Sequence, residues 1–135
     1  MPRKKTILVV DDDPTVLNML ASVLEDSYRV LIAADGVAAA YLYERNVEQV
    51  AALVTDLEMP RLNGQSLAEW VHHIRPKLPV IIMGGTLWTR TLQDLLQRPM
   101  ISFLGKPFEP AQLEALLQNA LKPMRKPVAD LSGVH

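Results

Sequence analysis

The residues that could do chemistry are few and mostly acidic. Asp11, Asp12 and Asp13 stand in a row after one apolar run, Asp56 follows another, and Lys106 follows a third. Carboxylates brought close together repel, and taking them out of water raises their pKa values, so a bare cluster costs stability. A hard divalent cation relieves that cost. Magnesium takes oxygen ligands and keeps some waters or a phosphate oxygen in its shell. A carboxylate that is not locked in a tight cage can attack phosphorus while charge is neutralised around it. A lysine beside it offers a fixed positive charge to a phosphoryl oxygen. The chemistry in prospect is metal-assisted phosphoryl transfer onto an aspartate, provided the fold brings these residues together.

The chain alternates short apolar runs with longer amphipathic stretches, which is what such a convergence requires. Ile7–Val10, Val30–Ala33, Ala51–Val54, Val80–Met83 and Ile101–Leu104 are predicted strands. Between them lie five predicted helices. The first opens at Pro14 with Asp13 as N-cap and carries Val16, Leu17, Leu20, Val23 and Leu24 at helical spacing. The others span Val37–Arg45, Gly64–Ile74, Thr89–Gln97 and Glu109–Leu121, the last with Leu113, Leu116, Leu117 and Leu121 inward. In the third, Leu67, Trp70, Val71 and Ile74 share a face. Strands each followed by a helix imply a parallel α/β sheet covered on both faces, with right-handed crossovers. The ligand site of such a sheet lies beyond the carboxyl ends of its strands. That singles out Asp11–Asp13, Asp56, Gly84–Thr86 and Gly105–Lys106.

Three segments in this order resemble the response-regulator receiver domains of two-component signalling. They are Ile7-Leu8-Val9-Val10-Asp11-Asp12-Asp13-Pro14, Thr55-Asp56-Leu57-Glu58-Met59-Pro60 with Gly64 beyond, and Gly105-Lys106-Pro107-Phe108. The resemblance runs from about Ile7 to Leu121. It implies a flavodoxin-like, doubly wound five-stranded sheet of order 2-1-3-4-5 with five helices, and a receiver domain over residues 5–122. It implies Asp56 as phosphoacceptor, with Mg2+ held by Asp12, Asp56 and the Glu58 backbone carbonyl and Asp11 acting largely through water. Lys106, Gly84 and Gly85 would meet the phosphate, and the bond before Pro107 would be cis. The implied partners are a sensor histidine kinase or phosphotransfer protein and an output protein or domain of unknown identity. The only catalysis implied is of the domain's own phosphorylation and dephosphorylation.

One position departs from the family's pattern. The fourth strand usually ends in Thr or Ser, whose hydroxyl turns toward the phosphoryl group. Counting back from Lys106 puts Gly84 there, followed by Gly85. An alignment slipped by two residues would restore Thr86 as the switch hydroxyl. Phe103 stands where an aromatic switch residue is usual.

Plainer readings stand beside these. The aspartates could be a solvated loop or helix caps, Lys106 a surface lysine and Gly84-Gly85 a turn. His72 and His73 are adjacent on a helix and point different ways, which suits a solvated face better than a metal pair. Trp70 reads as core, while Trp88 suits either packing or an exposed partner contact. Two other functions compete. A pseudo-receiver would keep the fold as an interaction module without a phosphorylation switch, and Gly84 points that way. A haloacid-dehalogenase-like phosphatase would use Asp11 as nucleophile and Asp13 as general acid, with Thr86 and Lys106 assisting. That reading leaves Asp56 without a role and lacks the later acidic metal-binding pair.

Composition narrows the field further. The 135 residues suit one domain, and 49% hydrophobic with 21% charged residues suits a folded one. There is no cysteine, so disulfides and thiolate chemistry are excluded, in keeping with a reducing, cytoplasmic location. Net charge is -1, which gives no argument for nucleic-acid binding. The first apolar run is too short for a signal core or a membrane span. Met1 reads as a natural start, and residues 123–135, with prolines and no periodicity, as a disordered tail or linker stub.

Overall fold

The computed structural model describes residues 3–85 and 89–122. Ten elements alternate along the chain. They are β1 (Thr6–Val10), α1 (Pro14–Leu24), β2 (Arg29–Ala33), α2 (Gly36–Arg45), β3 (Val50–Asp56), α3 (Gly64–Ile74), β4 (Val80–Gly84), α4 (Arg90–Leu95), β5 (Ile101–Gly105) and α5 (Pro110–Ala120). The five strands form one sheet of order β2-β1-β3-β4-β5, and every pair is parallel.

Strand pleating divides the apolar runs between two cores. Ile7 and Val9 pack with Leu17, Leu20 and Leu24 of α1 and Leu113 and Leu117 of α5. Leu8 and Val10 point the other way, toward Ala39 and Tyr43 of α2, Leu67 and Val71 of α3, and Leu92 and Leu95 of α4. This two-sided burial is why β1 has no polar alternation: all five of its residues are buried. Edge strand β2 is the exception. Ile32 remains 44% exposed, because no strand lies beyond β2.

Helix starts follow their caps. Asp13 accepts from the Thr15 N–H, Asp35 from Ala38, Asn63 from Ser66 and Thr89 from Leu92. The Asp35 cap starts α2 at Gly36, one residue before the predicted Val37. α4 is shorter than predicted, because Thr89 is its cap and Leu96 already ends it. Leu116 and Leu121 are partly buried and pack against the same core as Leu113 and Leu117, as expected of inward positions. Ile74 is the correction: it is 40% exposed at the end of α3. His72 is not on a solvated face. It is buried, and its Nε2 lies 2.8 Å from the Leu78 carbonyl, so that nitrogen carries the hydrogen. His73 is exposed. Trp70 is partly buried, edge-on to Tyr43 with ring centroids 5.8 Å apart. Trp88 and residues 123–135 lie outside the described residues.

Candidate phosphoacceptor and metal site

The carboxyl ends of β1, β3 and β5 bring four of the predicted residues together. Asp11 continues directly from β1, and its N–H donates to the Ala33 carbonyl of β2, which fixes the chain as it leaves the sheet. Asp56 is the last residue of β3, and Leu57 N–H donates to the Met83 carbonyl of β4. Lys106 follows β5, and its N–H donates 2.7 Å to the Gly84 carbonyl. The Lys106–Pro107 bond is cis. Each residue is therefore held by the ladder of the strand beside it, and sheet register sets the spacing.

Asp11, Asp12 and Asp56 each offer one oxygen within a group no wider than 4.8 Å. Asp11 and Asp56 are buried, and Asp12 is exposed at the mouth. Lys106 Nζ bridges the two buried carboxylates, 3.1 Å from Asp11 Oδ2 and 3.2 Å from Asp56 Oδ1. The other oxygen of Asp11 accepts from the Asp13 N–H at 2.9 Å. Asp11 thus has a bond on each of its oxygens, while one oxygen of Asp56 is held by Lys106.

Electrostatics single out Asp56. Burial pushes its carboxyl upward, Lys106 opposes this, and Asp11 and Asp12 push it up again, leaving it raised. Burial pulls the Lys106 ammonium down, but its bonds to Asp11 and the charge of Asp56 outweigh that and leave it raised. One lysine faces three carboxylates, so negative charge is left over. A hard oxygen-liganded cation suits that donor set. Glu58 lies two residues beyond β3 with its side chain exposed.

The loop after Asp56 closes tightly. Gly64 N–H donates to the Leu57 carbonyl at 2.8 Å. A Cβ on Gly64 would stand 2.1 Å from the Asp56 carbonyl oxygen, so no other residue fits there without displacing the backbone of Asp56.

The family model for the response regulator receiver domain matches residues 7–118. The chain belongs to this family. The receiver is 30% identical over 117 residues to the two-component response regulator ORR24 of Oryza sativa subsp. japonica, covering 86% of this chain and 18% of that protein. It is 30% identical over 122 residues to the nitrogen assimilation regulatory protein NtrX of Azorhizobium caulinodans, covering 88% of this chain and 26% of that protein. The chain thus spans about a fifth to a quarter of the length of such curated relatives. Among solved structures it superposes on a response regulator receiver domain protein of Clostridium thermocellum with TM-score 0.77 and 28% identity, covering 87% and 94% of the two chains. The receiver domain of the hybrid histidine kinase CckA gives TM-score 0.74 and 27% identity, covering 87% and 99%.

Receiver membership removes the phosphatase alternative. Asp13, its required general acid, is instead committed to capping α1. β4 ends at Gly84, as counted from Lys106, and Gly84 pairs with Gly105. A Cβ on Gly84 would meet Leu57 and the Phe103 ring, whereas one on Gly85 would meet nothing within 4 Å. Phe103 is partly buried against the core on the α2, α3 and α4 side. Thr86 lies outside the described residues. Leu57 stands in the sequence only as part of its motif, and Asp35 and Arg61, which pair the start of α2 with the loop after β3, have no part in any motif. A hydrophobe and an exposed ion pair carry no chemical signature, and only proximity in the fold gives them a part. Among the described residues, no helix is long and apolar enough to cross a membrane.

Proposed function

We propose that this receiver accepts a phosphoryl group on Asp56 from the phosphohistidine of a sensor kinase or phosphotransfer protein. The observation that carries the reading is the bridge of Lys106 between Asp56 and Asp11 inside a three-carboxylate cluster. An Asp56 oxygen attacks phosphorus, the P–N bond to the donor imidazole breaks, and the departing nitrogen takes up a proton. Lys106 stays close to the new acyl phosphate and balances its charge. Asp12, Asp56 and the Glu58 carbonyl would hold Mg2+, with Asp11 in support. The ion would draw the phosphoryl oxygens in and neutralise charge during transfer.

Transfer needs the donor imidazole within reach of Asp56, so the donor protein must cover adjoining surface. An apolar groove of about 380 Å³ beside Lys106, walled by Val16, Met19, Pro107 and Phe108, offers that seat. The domain spans residues 5–122 in this reading and works in the cytoplasm. It turns over no external substrate beyond its own phosphorylation and dephosphorylation. Its output passes through protein contacts, without direct binding of nucleic acid or membrane.

Gly84 favours a variant of this function. Phosphate still enters, but the switch at β4 and Phe103 responds weakly, which brings the protein close to an interaction module. Gly84 and Gly85 would then meet the phosphate through backbone N–H groups.

Incubation with acetyl phosphate and Mg2+, read by intact mass, tests the reading. Wild type should gain one phosphoryl mass and Asp56→Asn none. Equal labelling of the two would assign the acceptor elsewhere.

A further inference from the structure

Arg61 has φ 71°, the one positive value outside glycine among the described residues. A residue with a Cβ disfavours this left-handed backbone, and arginine has no local side-chain bond to offset it, as asparagine has. Something outside the loop must hold it. The Arg61 guanidinium is paired with Asp35 at 2.5 Å. Asp35 is a firm anchor, because its other oxygen caps α2 at the Ala38 N–H, 2.8 Å away. The loop touches α2 at a second point. A Cβ on Gly36 would stand 2.1 Å from the Leu62 carbonyl oxygen, so the two backbones meet with no room for a side chain.

We propose that Arg61, latched to Asp35, is a positioning residue for the metal site: it holds the β3–α3 loop, and with it the Glu58 carbonyl, against the start of α2. This rests on the reading above, in which that carbonyl is a metal ligand. The loop is tied at its ends by Asp56 in β3 and by the Gly64–Leu57 bond. Between those ties, among the described residues, the turn's own backbone bond runs from the Leu62 N–H to the Pro60 carbonyl, while Met59 and Leu62 pack against the core; the Arg61 pair adds a polar restraint at the residue between them. Exposed ion pairs are ordinarily weak and screened by salt. Here the pair has a narrower task, which is to keep an arginine in a backbone region it would otherwise leave. The coupling also gives the α2 edge a physical route to the site: whatever competes for Asp35 or Arg61 loosens the loop.

The substitutions separate latch from charge. Asp35→Asn keeps the helix cap, since Asn caps as well as Asp, but removes the pairing charge. Arg61→Asn removes the pair yet tolerates φ 71° by itself. Two readouts are taken on the full chain: Mg2+ affinity by titration, and amide exchange of residues 57–63. Asp35→Asn should bind Mg2+ about fivefold more weakly and exchange the loop amides about tenfold faster, with thermal stability little changed. Arg61→Asn alone, and the double variant, should return both readouts to within about twofold of wild type. Unchanged loop exchange in Asp35→Asn would overturn the latch, as would a double variant no better than Asp35→Asn. Faster exchange rescued in the double variant, but with no Mg2+ binding even in wild type, would support the latch and overturn the metal reading instead.

Discussion

A Cβ placed on Gly84 would stand 3.3 Å from Cε1 of Phe103 and 3.1 Å from Cβ of Leu57. The space where a hydroxyl-bearing residue would begin is already narrowed by these two side chains. A phosphoryl group shifts a conformational equilibrium only by binding one conformer better than the other. A hydroxyl contributes a charge-assisted bond of about 1.5–3 kcal/mol toward such a difference, roughly ten- to a hundredfold in population. Gly84 supplies none, so beryllofluoride should shift amide resonances near Asp56 strongly and those near Phe103 and α4 weakly. Gly84→Thr should enlarge the second set, at a stability cost of ~1 kcal/mol for crowding Leu57 and Phe103. If wild type already shows a saturating shift around Phe103 and the variant adds nothing, Thr86 or the backbone does the switching.

Gly64 is more constrained than Gly84. The 2.1 Å approach of its would-be Cβ is to the backbone oxygen of Asp56, which cannot swing aside as a side chain can. Gly64→Ala should lower stability by at least ~2 kcal/mol in urea titrations and slow phosphorylation by acetyl phosphate more than about tenfold. An unchanged denaturation midpoint would mean that the loop yields freely.

Charge excess in the acidic cluster gives a third expectation. Binding to the folded state alone stabilises it, so Mg2+ should raise the melting temperature of wild type. Asp12→Ala should lose most of that rise, while its ion-free form melts no lower than wild type because one repelling charge is gone. A full Mg2+ response in Asp12→Ala would exclude Asp12 as a principal ligand.

His72 sets a pH dependence remote from the acidic site. Burial lowers its pKa below the ordinary 6.5, against the bond to Leu78, with Arg98 adding to the lowering. The folded state then binds fewer protons than the unfolded one, so stability is complete above 6.5 and declines as pH falls from there through the folded pKa. His72→Gln keeps a donor for the Leu78 carbonyl without the titration. Its denaturation midpoint should change less than that of wild type between about pH 7.5 and 5.5. Parallel slopes for the two proteins would remove His72 as the cause.

The sequence by itself determined the order of elements, the parallel sheet and the set of acidic residues at strand ends. Each of those rests on local information. The runs Ile7–Val10 and Val80–Met83 are apolar at every position because both faces are covered, and Asp13 caps the helix it precedes. Lys106 and Asp56 were legible as a pair because their motifs recur in a known order. What tertiary structure alone decided depends on neighbours distant in sequence. Ile32 is exposed because β2 is an edge, and His72 is buried because the chain turns back at Leu78. Gly36, Gly64 and Gly84 look alike as letters. One abuts the Leu62 carbonyl, one the Asp56 carbonyl, and one the side chains of Leu57 and Phe103. The same holds for Asp35 and Arg61, 26 residues apart, whose pairing exists only because the β3–α3 loop packs on the start of α2. Periodicity records which face of an element is covered, but not by which residue of another element, and that choice sets the geometry around Asp56.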